Sequence, residues 1–314
     1  MRAIVVGAVR SYRESMRRFA KMPNQAVWYA RIDAEEIVAK LRAVAPPDRM
    51  RRAEALIASA KTKDSMQAFR KLTHEVDGQP RIISDPPLIV PVEEIFPGHA
   101  AEEFHTQMAE LLAAYRSSLI SDRRHLFDQY RFVHMARKVV GVGSVGTRAW
   151  ILLFEGLDGQ DPLFLQAKEA QSSVLEQYAG VSEYTNHGER VVAGKRLMQA
   201  SSDIFLGWQR TNGLDGIDRD YYLRQLRDWK ASAEVEGALP AGMAVYGQVC
   251  GWTLARAHAR SGDRVTIGAY LGKTDSFDEA IADFSAAYAD QNEKDHALLR
   301  HAIDGGGIAA TEGV

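Results

Sequence analysis

The stretch Val139-Val140-Gly141-Val142-Gly143-Ser144-Val145-Gly146-Thr147-Arg148 constrains the fold most, because of the apolar run that it leads into. Three glycines spaced G-x-G-x-x-G belong to a dinucleotide-binding unit only when the last one opens a helix, whose N-terminus then holds the pyrophosphate. Here Gly146 leads through Thr147 and Arg148 into Ala149-Trp150-Ile151-Leu152-Leu153-Phe154, an apolar and aromatic run that reads as a strand. The glycines therefore stand between strands. In kinase-like folds such a glycine turn covers nucleotide phosphates, and a lysine on the next strand contacts them. Asp158-Gly159 supplies a turn, and Leu163-Phe164-Leu165-Gln166-Ala167-Lys168 reads as a third strand ending in a lysine.

The order continues with a helix over Gly188 to Ala200 carrying Glu189, then strands at Ile204 to Gln209 and Tyr221 to Leu226. In a kinase-like lobe a glutamate on this helix orients the lysine. Glu189 is the candidate, and Glu176 is its rival, since spacing does not decide which carboxylate faces inward. Gly141, Gly143 and Gly146 would let backbone N–H groups approach phosphate, Ser144 and Thr147 would add hydroxyl donors, and Lys168 would neutralise charge. The competing reading is a plain hairpin with a bulge, turn hydroxyls and a strand-end lysine in solvent. Both stay open on the sequence.

The rest reads as helical. Val5, Val9, Tyr12, Met16 and Phe19 recur at helical spacing before Pro23. A short extended piece is expected over Val27 to Ile32, and Asp33 with Glu36 has capping-box spacing for the next helix. Further helices are expected from Pro46-Pro47 through Ala60, over Ser65 to His74, over Ala101 to Ser118 and over Asp122 to His134. A turn falls at Asp77-Gly78, Arg81 to Phe96 reads as extended and proline-punctuated, and Val139 to Val140 reads as a strand. Long helices return at Ala241 to Arg260 and Phe277 to Ile303. The expected fold class is α+β, a kinase-like antiparallel sheet lobe over 137–230 between helical regions 1–136 and 231–304, with a flexible tail over 305–314.

Charge excludes one class of partner. The net charge of −2 over 314 residues lacks the basic excess that nucleic-acid binding needs, and Arg49, Arg51 and Arg52 read as a solvated helix face. Cys250 is the only cysteine, so an internal disulfide and a cysteine-rich zinc site are excluded, and its apolar surroundings suggest a buried thiol. The nine histidines show no HExxH spacing, and no Gly-x-Ser-x-Gly elbow occurs, so no metal site or serine nucleophile is expected. Trp150, Trp208, Trp229 and Trp252 read as packing residues. No apolar stretch approaches the ~20 residues that span a bilayer, and the N-terminus lacks a signal pattern. A cytoplasmic location without a membrane partner is the expectation.

The runs ARKVVGVGSVGTRAW, LFLQAKEAQSSVLEQY, GERVVAGKRLMQASSDIFLGW and GWTLARAHARSGD, with VWYARID and SDPPLIVP, resemble the bacterial family catalogued as domain of unknown function 2252. The resemblance extends from about Tyr12 through Tyr288. It implies kinship rather than an activity. It also implies that other members carry an additional N-terminal region, with a Gly-Asp-x-His-x-x-Asn-type motif and an Asp-rich motif similar to the catalytic and metal-binding segments of aminoglycoside-kinase-like proteins. Their place before the glycines implies a permuted order of lobes.

These residues contain no Gly-Asp-x-His-x-x-Asn motif, so a form lacking the usual N-terminal region is expected. His258-Ala259-Arg260-Ser261-Gly262-Asp263 has the look of a kinase catalytic loop, but Gly268 stands where an asparagine is needed. A helix ending at Ser261-Gly262 explains the segment without catalysis. Asp275, Asp278 and Asp283 fit a helix start as readily as a metal. The leading expectation is an ATP-binding kinase-like protein, a phosphotransferase using ATP and Mg on a small-molecule or protein phosphoacceptor. The alternatives are a non-catalytic scaffold or binding module, or a fragment of a larger kinase-like protein whose coding sequence continues upstream of Met1. Catalytic residues, metal ligands and oligomeric state are not assigned by the sequence.

Overall fold

A computed structural model describes residues 1–47, 50, 51, 54, 55, 58, 65–97, 101–139, 141, 146–212, 216–226, 235 and 237–310, with the backbone alone for 101–107. Gly143, Ser144, Trp229, Arg49 and Arg52, singled out above, lie outside the described residues. In chain order the named helices are α1 (Arg2–Phe19), α2 (Asn24–Tyr29), α3 (Ala34–Arg42), α4 (Ser65–Leu72), α5 (Val92–Ile95), α6 (Ala101–Ser118), α7 (Ser121–Phe127), α8 (Glu176–Ala179), α9 (His187–Met198), α10 (Pro240–Ser261), α11 (Arg264–Leu271) and α12 (Ser276–Asp304). The strands are β1 (Thr73–Val76), β2 (Gln79–Ile82), β3 (Ile89–Pro91), β4 (Arg131–Lys138), β5 (Ala149–Glu155), β6 (Pro162–Ala170), β7 (Gly207–Asn212) and β8 (Asp218–Gln225). This is a mixed α+β chain with an antiparallel main sheet. It forms two compact units, one of Met1–Ile57, Leu197–Ala200 and Ser232–Val314, the other of Ala58–Arg196 and Ser201–Ala231.

The first unit joins the two ends of the chain. Met16 and Phe19 on α1, Val27 on α2, Ala255 and Ala259 on α10 and Leu271 on α11 share one buried cluster. α1 lies so close to α10 that a Cβ on Gly251 would fall 2.2 Å from the Ala8 carbonyl oxygen, so no larger residue fits. Arg13 reaches from α1 to Asp278 on α12, its Nη2 2.8 Å from the carboxylate, and both side chains are buried. Two expectations are corrected here. Val27 is helical rather than extended, because the turn after Pro23 points it into the Phe19 cluster. Cys250 is exposed rather than buried, because it lies on the α10 stripe of Tyr246 and Leu254, which are themselves exposed. Asp33 precedes α3, but its side chain makes no cap bond and pairs with Arg31 at 3.4 Å instead.

The second unit is built on a six-stranded sheet in the order β3-β4-β5-β6-β8-β7, beside the separate hairpin of β1 and β2. That hairpin turns at Asp77 and Gly78, with φ of 51° and 73°, a pair of left-handed residues that suits a two-residue hairpin loop. One face of the main sheet presents Leu152, Phe154, Leu163, Leu165 and Leu223 to Tyr115 and Leu119 at the end of α6 and to Phe127 on α7. The opposite face presents Ala136, Ile151, Leu153 and Phe164 to Ala68 and Leu72 on α4 and to Ile82 and Ile89. Burial on both faces is why β5 and β6 read as continuous apolar runs.

Strand β4 begins at Arg131, where a helix had been expected through His134 and a strand only at Val139. α7 stops at Phe127, and Phe132 to Arg137 find their backbone partners on β5, with a register shift between Phe132 and His134. Pairing with a strand distant in sequence overrides the local helical pattern. Likewise Thr73 and His74, expected in a helix, start β1. β7 begins at Gly207 rather than at Ile204, and α11 forms where no helix was foreseen.

Candidate phosphate-binding site

The glycine run joins β4 to β5, which pair antiparallel up to Arg137 and Trp150. Gly146 has φ +81°, in the left-handed region that favours glycine, and a Cβ there would meet nothing within 4 Å. Backbone conformation, not crowding, sets the residue type. Across β5 and β6 the first strand residue, Ala149, pairs with Lys168, and on the other side Lys168 pairs with Tyr222 of β8. Lys168 therefore sits inside the sheet, directly opposite the residue that leaves the glycine run.

Alternation puts Lys168 and Gln166 on one face of β6, and Tyr222 and Arg224 on the same face of β8. Gln166 is buried, and its Oε1 accepts from Arg224 Nη2 at 3.1 Å. Burial, and then the Arg224 charge, hold the Lys168 ammonium below its ordinary pKa. From α9, Lys195 Nζ stands 5.3 Å from the centre of the Tyr222 ring, adding a third cation to this face.

Helix α9 is fixed at its N-terminus. Asn186 Oδ1 accepts from Glu189 N at 2.9 Å, and buried Asp220 on β8 accepts from His187 N at 2.7 Å. Asp220 is also held by Arg210 Nε at 2.7 Å and Asn186 Nδ2 at 3.0 Å. Burial pushes the Asp220 carboxyl up, but the Arg210 guanidinium and the His187 N–H outweigh it and leave it below its ordinary pKa. At Gly188 a Cβ would fall 2.2 Å from the Tyr221 carbonyl oxygen, so glycine lets the helix rest on β8.

Gly141 and Gly146 thus lie in the connection between β4 and β5, and Lys168 lies on β6, the strand next to β5. The contacts described for Glu189 and Glu176 lie elsewhere than at Lys168. Glu189 bonds through its backbone N to Asn186 and shares a helical stripe with Arg196, seven residues on, whose guanidinium lies 5.8 Å from the ring centre of Trp208 on β7. The Glu176 carboxylate accepts from Ser173 N at 3.2 Å. Asp263 caps α11, accepting from Val265 N at 3.0 Å and Thr266 N at 3.2 Å, just after α10 ends at Ser261. Asp278 is taken by Arg13 and Asp283 by Arg2. Among the described residues no three histidine, cysteine or acidic side chains are placed to hold a metal ion. No described helix is long and apolar enough to cross a membrane.

Trp150 packs on the α6 side of the sheet, Trp252 in the first unit's cluster, and Trp208 beneath Arg196. Arg224, Gln166, Asp220 and Arg210 were not anticipated. Asn186 with Glu189 three residues later is a cap signal that the sequence did carry.

The fold and the site define an α+β protein with a glycine-rich connection between two antiparallel strands and a lysine near the end of the neighbouring strand. The chain belongs to the family described as uncharacterized protein conserved in bacteria, domain of unknown function 2252, whose model matches residues 1–302. No curated protein and no solved structure matches the chain.

Proposed function

We propose that this protein binds ATP through a kinase-like lobe and transfers its terminal phosphoryl group to a small-molecule or protein acceptor. The observation that carries the reading is the pairing of Ala149 with Lys168, in a sheet where two antiparallel strands joined through the glycine run, the lysine strand, a helix and two further strands succeed one another in the order a kinase-like lobe requires. In this reading the backbone N–H groups of Gly141, Gly143 and Gly146 approach the phosphates, Ser144 adds a hydroxyl donor, and Lys168 neutralises charge. The open space at Gly146 and the cations on the Lys168 face fit a polyanion. Glu189, on the helix whose Lys195 reaches the same face, is the carboxylate that would hold Lys168 in position. Mg2+ enters only as the companion of the nucleotide, since the carboxylates at Asp263 and Asp278 already have partners.

That same occupation of Asp263 and Asp278 favours a second reading, a nucleotide-binding scaffold without catalysis. Titration of the chain with ATP, with and without Mg2+, tests both. Saturable binding with phosphoryl transfer supports the phosphotransferase, binding without turnover supports the scaffold, and no saturable binding contradicts both.

A further inference from the structure

We infer that Arg224 is a second phosphate-binding cation of this site, so that Lys168 and Arg224 together select a ligand with two or more linked phosphoryl groups, a nucleoside di- or triphosphate over a monophosphate. The inference rests on the nucleotide reading above and narrows it.

The β6–β8 register places Gln166 opposite Arg224 and Lys168 opposite Tyr222, so Arg224 and Lys168 are diagonal neighbours on one face. Such neighbours stand about 7–8 Å apart at their Cα atoms, within reach of a common ligand for side chains of this length. Arg224 is only partly exposed and is held by a neutral partner, the buried Gln166 amide oxygen. Among the described residues it forms no ion pair with a carboxylate. The acid nearest along its own strand face, Asp220, is held by Arg210, Asn186 and His187 N.

Two like charges at diagonal positions on adjacent strands repel, and partial burial sharpens the cost. A linked pair of phosphates offsets it, one group at each cation. A guanidinium also presents a planar fork that matches a phosphate's oxygens, whereas an ammonium acts as a point charge. Gln166 orients that fork from the neighbouring strand.

The test is equilibrium titration of the whole chain with ATP, ADP and AMP, comparing the wild type with Arg224→Gln, Arg224→Lys and Lys168→Ala. Arg224→Gln is expected to weaken ATP and ADP about tenfold while leaving AMP within about twofold, with Arg224→Lys between it and the wild type. Wild-type ATP affinity in Arg224→Gln, alongside weakened binding in Lys168→Ala, would overturn the inference and leave the nucleotide reading standing. No saturable ATP binding by the wild type would end both.

Should Arg224→Gln fail to fold, dicarbonyl modification of the wild type replaces it. ADP is expected to protect the Arg224 peptide and AMP is not, and equal labelling with and without saturating ADP would overturn the inference.

Discussion

Lys168 on β6 pairs with Ala149 of β5 on one side and with Tyr222 of β8 on the other, which sets a lysine between two strands, opposite the first strand residue after the glycine run. A lysine at the frayed end of a hairpin would cost little to leave in water. Here burial and Arg224 already press against its charge, and an anionic ligand would relieve that pressure.

Asp220 ties the first turn of α9 to β8 through His187 N, and ties both to Arg210 on β7. Asp220→Ala removes the acceptor of the Asn186 amide and the His187 N–H and, among the described residues, leaves the Arg210 guanidinium with the Thr185 carbonyl alone. The expected cost is about 1–3 kcal/mol in urea unfolding, with faster amide exchange in the first turn of α9. A loss below about 0.5 kcal/mol, typical of a neutral surface change, would contradict this role.

His134 is buried in β4, where its Nδ1 accepts from Ile82 N at 3.0 Å and its Nε2 donates to the Glu93 carboxylate at 3.1 Å. Burial lowers its pKa, and the Glu93 charge offsets this only in part. As pH falls the unfolded chain takes up the proton first, near pH 6.5, so stability present above about pH 6.5 is lost as pH falls through the lower folded-state value. Thermal melts between about pH 7 and pH 5 should therefore drop less steeply for His134→Gln than for the wild type. Equal slopes would contradict the assignment.

The sequence made the strand after the glycines and the Lys168 strand legible because β5 and β6 are buried on both faces and so read as unbroken apolar runs. The long helices α1, α10 and α12 were legible from their periodicity. β4 was not, since Arg131 to Lys138 carry mixed charges and acquire strand character from pairing with β3 and β5. The union of the chain's two ends was also hidden, because it depends on the close approach of α1 at Gly251. Arg224 comes beside Lys168 through register alone, which no local motif announces.

The segment ending in Asp263 tests whether likeness to a catalytic loop carries function. The carboxylate bonds to the Thr266 hydroxyl at 2.6 Å and to the Thr266 and Val265 N–H groups, which together hold its pKa below the ordinary value. Asp263→Ala is expected to lower the melting temperature slightly at neutral pH, an effect that fades as pH falls through the carboxyl's folded-state pKa. ATP affinity and any turnover should be unchanged. Loss of turnover in a folded Asp263→Ala protein would show instead that this residue takes part in the reaction.

The most direct measurement is the ATP dissociation constant of the wild type against Lys168→Ala, each confirmed as folded by its thermal melt. A lost charge-assisted contact predicts an affinity about tenfold or more weaker in Lys168→Ala. Saturable binding of equal strength in both proteins would place the nucleotide elsewhere and remove Lys168 from the site.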